Sequence, residues 1–258
     1  MVDGSTGAMG VIAAAPGVAN PSDLAYSLLC ESLSGLEFGS LLRPCFLCGE
    51  GARRYGVERD LVKSVSITEK TRQKGESYLR QVQLIQDEVT DTVGCIVVAD
   101  HKMVAAGSSG GNWLHYSGRT GLCGVPGAGV WCESNVGCVV SGLGESCIRH
   151  LFAKKVCDIV QSGIRCEKRV EMAIREELVH DMERMRISLQ PSFGVIAVKL
   201  DKTDALSVIV SSFADMFGYG YISINEDEVQ QEGIVQERSV VRIAKESDCV
   251  TNTFHVSL

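Results

Sequence analysis

The sequence predicts an α+β fold of layered sheets covered by helices, and three observations lead to it. At Thr92 a charged, polar stretch gives way to two apolar runs, Val93, Cys95, Val97 and then Met103, Val104, Ala105, Ala106. The polar Asp100-His101-Lys102 separates them, which is a hairpin pattern. Two helical stripes follow, Ile148, Leu151, Phe152, Val156, Ile159 and Val160, then Val170, Ala173, Ile174 and Leu178. Four β-rich runs at 195–198, 206–210, 219–224 and 240–243 finish the chain. Strands, then two helices, then strands make stacked layers.

Each earlier element has its own signal. Residues 11–16 form a small-residue apolar run. Asn20 suits a helix cap and Pro21 the first turn, with Leu24, Leu28 and Leu29 on one face of the helix that follows. Phe46-Leu47-Cys48-Gly49-Glu50-Gly51 reads as a strand end entering a glycine turn that opens another helix. Residues 58–91 are charged and polar, with a weak stripe at Leu79, Val82 and Ile85. They predict an exposed helix or connector, where proteolysis is tolerated. Residues 138–141 read as another strand.

Composition narrows the function classes. A chain of 258 residues that is 45% hydrophobic buries a sizeable core and is expected to form one domain. No apolar run approaches the roughly 20 residues that span a bilayer, so no membrane partner is expected. The net charge of -7 argues against nucleic acid, which requires clustered Lys and Arg. Eleven scattered cysteines, odd in number, predict free thiols in a reducing compartment. The Cys45-Phe46-Leu47-Cys48 pair has redox or zinc-knuckle spacing but no second CxxC, and a structural role is expected for it.

The chemistry is concentrated in four segments: Asp91-Thr92-Val93-Gly94-Cys95, Ser108-Ser109-Gly110-Gly111, Gly118-Arg119 and Ser141-Gly142-Leu143-Gly144-Glu145. In this order and spacing they resemble the asparaginase and taspase family of N-terminal-nucleophile hydrolases. The resemblance runs from Asp3-Gly4 through Gly17-Val18-Ala19-Asn20-Pro21 and Pro44-Cys45-Phe46-Leu47-Cys48-Gly49-Glu50-Gly51-Ala52 to Gly144-Glu145. A fainter likeness persists at Gly218-Tyr219-Gly220-Tyr221. It implies a four-layer αββα sandwich that cleaves itself between Asp91 and Thr92, leaving residues 1–91 as an α-part and 92–258 as a β-part. A threonine hydroxyl needs a base, and the α-amine of a chain-initial Thr92 would serve. By the same resemblance Ser141 and the Gly142 N–H stabilise the oxyanion, and Ser109 hydrogen-bonds beside the nucleophile. Arg119, with Gly144, holds a substrate carboxylate. No cofactor or metal is implied, and two αβ units are expected to pair as a homodimer in the cytoplasm, with the nucleus as the other compartment.

Within the family, small-molecule asparaginases and isoaspartyl peptidases carry an Asp three residues after the arginine, to hold a free α-ammonium. Leu122 stands there and offers no counter-charge. Together with Ser109 and Ser141, this favours the taspase branch, a threonine endopeptidase that cuts proteins after an internal aspartate. Asparaginase or isoaspartyl peptidase activity is the alternative. The family's front strand with its His-Gly run, its helices and an Asn-Ala-Gly-like loop find no match, so a chain reduced by a strand and its covering helices, inactive or folding with a partner, is the reading from another class. A thiol-redox or zinc protein built on Cys45 and Cys48 is the remaining one.

Overall fold

The computed structural model describes residues 1–34, 43–62, 68–81, 92–110, 115–187, 191–203, 205–214, 217–223, 236–243 and 250–257. The chain opens with β1 (Val2–Asp3), β2 (Val11–Ala13), α1 (Pro21–Leu33), β3 (Phe46–Cys48), α2 (Gly49–Glu58) and α3 (Glu69–Gln81). Pro21 begins α1 as expected, and Leu24, Leu28 and Leu29 are buried. Asn20 stands at the cap position, but its side chain makes no capping bond; instead its carbonyl accepts the Asp23 N–H at 3.1 Å. Helices α1 and α2 close over the parallel pair β2–β3, with Leu24, Leu28 and Tyr55 packed on Ile12, Val18, Leu47 and Leu61. Polar, exposed α3 occupies the predicted connector. The Leu79 side chain, Val82 and Ile85 lie outside the described residues.

The hairpin forms where the alternation placed it. Strands β4 (Val93–Ala99) and β5 (Lys102–Ser108) pair antiparallel, with Val93 opposite Ser108 and Ala99 opposite Lys102. Asp100 and His101 turn the chain with φ of 49° and 57°, the positive pair that matches strand twist. β1 completes a three-stranded sheet in the order β1-β5-β4.

Next come a 3-10 turn (Leu122–Gly124), β6 (Val130–Glu133), β7 (Val136–Ser141), α4 (Gly144–His150), α5 (Phe152–Ser162) and α6 (Cys166–Ala173). The last helix runs on through a π-turn (Ile174–Val179) into α7 (His180–Arg184). The first helical stripe was expected to be continuous, but Leu151, at φ 45° and half exposed, breaks it into α4 and α5. The second stripe holds, with Val170, Ala173, Ile174 and Leu178 all buried.

Strands β8 (Phe193–Leu200), β9 (Ala205–Phe213), β10 (Phe217–Ser223) and β11 (Gln236–Ile243) cover the four predicted runs, and β12 (Val250–Ser257) follows. Ile224, predicted as the end of β10, lies outside the described residues. Strands β6 and β12 had not been legible, yet both border the five-stranded sheet β12-β9-β8-β7-β6.

The layers follow from which side chains each face buries. Helices α4 to α7 cover one face of the five-stranded sheet, over Phe152, Val156, Val160, Ile174, Leu178 and Phe193. The other face packs on the three-stranded sheet through Met103, Ala105, Val130, Val139, Val198 and Val208. The architecture is α+β, with a helix layer, two stacked sheets and the smaller α1–α2 unit at β2–β3. On the far face of β4, Val93, Cys95 and Val97 are exposed.

Candidate active site

Thr92 immediately precedes β4, at the open end of the hairpin. Pairing of Val93 with Ser108 sets Thr92 beside Ser109, and the Thr92 Oγ1 hydroxyl donates to Ser109 Oγ at 3.2 Å. Both residues are half-buried. The sheets approach closely here because Gly94 has no side chain: a Cβ on it would lie 2.7 Å from Val139 Cβ. One step further along, the Ile96 side chain faces Gly137. These contacts step in opposite directions along the two strands, so continuing them carries Thr92 towards Ser141, the last residue of β7. Thr92, Ser109 and Ser141 thus share one end of the sandwich. Asp91 and Gly111 lie outside the described residues.

After Ser141 the backbone turns sharply. Gly142 has φ 149°, and a Cβ there would lie 2.3 Å from Phe193 Cδ1, so glycine is required on both counts. Leu143 leads into α4, whose first residues, Gly144 and Glu145, meet Arg119. The guanidinium is bound edge-on, Nε donating to Glu145 Oε1 at 2.8 Å and Nη2 to Oε2 at 2.7 Å. Only 16% of the Arg119 side chain is exposed. Gly144 makes room for it, since a Cβ there would stand 2.8 Å from Nη2. The hydrogen bonds from Arg119 hold the Glu145 carboxyl below the usual range, against partial desolvation.

Sequence reasoning quoted Glu145 in the motif but gave it no role. An Arg and a Glu 26 residues apart carry no local signal of pairing; the turn at 121–124 and the start of α4 bring them together. Leu122 was read as the residue that replaces an ammonium-binding Asp. Its side chain is buried with Leu143 and Cys147 in the helix-side core, so the chain places a hydrocarbon, pointed away, at that position.

The cysteines supply no rival nucleophile in the core. Burial pushes the Cys132 and Cys147 thiols up to about 12 and Cys138 well above its ordinary value, which leaves them protonated. The ten described cysteines are free thiols. Cys45 immediately precedes β3 and Cys48 ends it, so the extended backbone separates their Cα atoms by about 10 Å, beyond disulfide reach. Among the described residues no group of three His, Cys, Asp or Glu side chains is placed to hold a metal ion.

Comparison with known proteins places the chain among named relatives. A plant-type L-asparaginase of Pyrobaculum calidifontis is 31% identical over 189 residues, 67% of this chain and 58% of that protein. The plant-type L-asparaginase of Pyrococcus furiosus is 27% identical over 188 residues, again 67% and 58%. An L-asparaginase-like protein of Drosophila melanogaster is 30% identical over 105 residues, 40% of this chain and 26% of that one. The aligned region thus spans 58% of the length of the two archaeal relatives. The Asparaginase_2 family model, described as asparaginase, matches residues 1–212, so the likeness continues past the second helix through β8 and most of β9. On that match, with Thr92, Ser109, Ser141 and Arg119 placed as described, the chain belongs to the Asparaginase_2 family of hydrolases.

Proposed function

We propose that the protein is an asparaginase-type amide hydrolase whose nucleophile is the Thr92 hydroxyl. The contact between Thr92 Oγ1 and Ser109 Oγ at the open end of the hairpin, on the side of Ser141, carries this reading. Cleavage of the peptide bond before Thr92 would free an α-amine within reach of its own hydroxyl. The amine would take the hydroxyl proton as Oγ1 attacks the substrate amide carbonyl. The Ser141 hydroxyl and the Gly142 N–H would receive the oxyanion. Collapse would expel the amine, which leaves with the proton, and water would then hydrolyse the ester. Arg119 would orient a substrate carboxylate beside the reacting bond, with its guanidinium plane fixed by Glu145.

The names of the archaeal relatives support asparagine as the substrate. A second reading, cleavage of proteins after an internal aspartate with self-cleavage between Asp91 and Thr92, is favoured by Leu122. With a buried hydrocarbon at that position, a substrate whose nitrogen is already an amide loses nothing there, whereas a free ammonium lacks a partner.

Intact mass of the purified protein beside a Thr92→Ala control tests the nucleophile. Splitting between residues 91 and 92 in the parent alone supports it, and an unsplit parent with no activity overturns it. Ammonia release from free asparagine then supports the first reading. Cleavage of a peptide after internal Asp, without ammonia release, supports the second.

A further inference from the structure

Among the described residues, β4 is the last strand of the sheet β1-β5-β4, so one row of its backbone N–H and C=O groups faces outward. Val93 is 65% exposed and Val97 55%, and Cys95 between them is exposed as well. The opposite edge of the same sheet is blunted in two ways that natural edges use, by shortness and by charge. β1 is two residues long, and its Asp3 carboxylate accepts the Ser5 N–H at 2.8 Å and the Thr6 hydroxyl at 2.9 Å. β4 has neither protection. Val93-Gly94-Cys95-Ile96-Val97-Val98-Ala99 is seven residues long, with no charge and no proline, and its register with β5 runs from end to end without a bulge.

An open edge fits an extended strand, and the composition of this one says which. A two-fold axis sets an antiparallel strand against its own copy, so a charge near the axis would meet the same charge. In a chain of net charge -7, an uncharged run of seven residues is a place where two copies meet without that repulsion. The outward row is also complementary to itself. Turned end for end about Cys95, it sets Val93 on Val97 and Cys95 on Cys95, apolar against apolar, with all of them still on the outer face.

We propose that β4 is a homodimer seam: two copies of the chain pair β4 to β4, antiparallel about Cys95, and join their sheets into one of six strands. The order across the pair is β1-β5-β4-β4-β5-β1. Its two outer edges are then the short, Asp3-bearing β1, so the assembly closes at two copies instead of growing. Backbone groups that face water in one copy are bonded in the pair. Thr92, the residue before β4, lies across from Val98 of the other copy, so the seam runs along the flank of the candidate site.

The test uses the whole chain, sized by light scattering on a column loaded at about 50 µM. Two copies per particle are expected whether or not the bond before Thr92 is cut, so the result is independent of the proposed chemistry. Val97→Lys, at a surface position, should keep the fold and weaken dimerisation at least about tenfold. Val57→Lys on α2, at a position 54% exposed, should leave dimerisation unchanged. Diamide, which takes up the two thiol hydrogens, should link Cys95 to Cys95 of the other copy, because opposed Cα atoms lie about 4.5–5.5 Å apart, within disulfide reach. Peptide mass mapping tells this link from any through the exposed Cys30, Cys45 or Cys48. The link is read on the parent, so it decides the matter even if the Val97→Lys chain does not fold. One copy per particle, open-ended aggregates, a foreign chain in place of the second copy, a folded Val97→Lys dimer or links that avoid Cys95 would each overturn the seam.

Discussion

At the scale of single residues, Arg119 and Glu145 would set how the proposed site meets a substrate carboxylate. The paired hydrogen bonds at 2.8 and 2.7 Å fix the guanidinium plane, so under the proposed function a substrate carboxylate would find it already oriented. Glu145→Gln should therefore raise KM several-fold while kcat stays within about twofold, because the lost orientation acts on ground-state binding. A lower KM would instead make Glu145 a competitor for the arginine. The pH dependence has a defined sign. The Glu145 carboxyl is held low in the folded state, so the pair's contribution is present at neutral pH and is lost as pH falls below the ordinary glutamate range. Comparing the acid limb of thermal stability in parent and Glu145→Gln checks this, with the variant expected to be less acid-sensitive. Because Glu145 is about half exposed, solvent screening keeps the effect small.

At the scale of elements, the site depends on how closely two strands approach. β4 meets β7 where Gly94 faces Val139, and this seam brings the start of one strand to the end of the other. Gly94→Val would force the sheets apart at a point with no free space. It is expected to cost about 1–3 kcal/mol, the usual penalty of overpacking, and to lower activity beyond the stability loss, because Thr92 lies two residues away. Chemical denaturation alongside turnover separates the two effects. The helix that sequence periodicity read as one is two, and Leu151 between them adopts a left-handed conformation that leucine rarely takes. Its half-exposed side chain leaves the core stripe, while Phe152 turns fully inward.

At the scale of the whole molecule, the five-stranded sheet is the common wall of two cores, one beneath the helices and one against the three-stranded sheet. Phe152, fully buried under the helices, should be the costlier truncation: Phe152→Ala is expected to lose about 3–5 kcal/mol. Exposed Tyr26→Ala should stay within about 0.5 kcal/mol, and a pair of denaturant titrations reads the contrast. By itself the sequence determined the α+β class, the hairpin with its turn at Asp100 and His101, the second helical stripe and the segments from which the candidate site is proposed. Those features rest on local alternation, helical period and motif order, which a linear pattern records. It did not disclose β6 or β12, because a short strand and a terminal one are defined by the neighbours they pair with rather than by their own residues. Nor could it show the inward direction of Leu122 or the pairing of Arg119 with Glu145. Each depends on residues far apart in the chain meeting across packed layers, and that meeting is decided by tertiary packing.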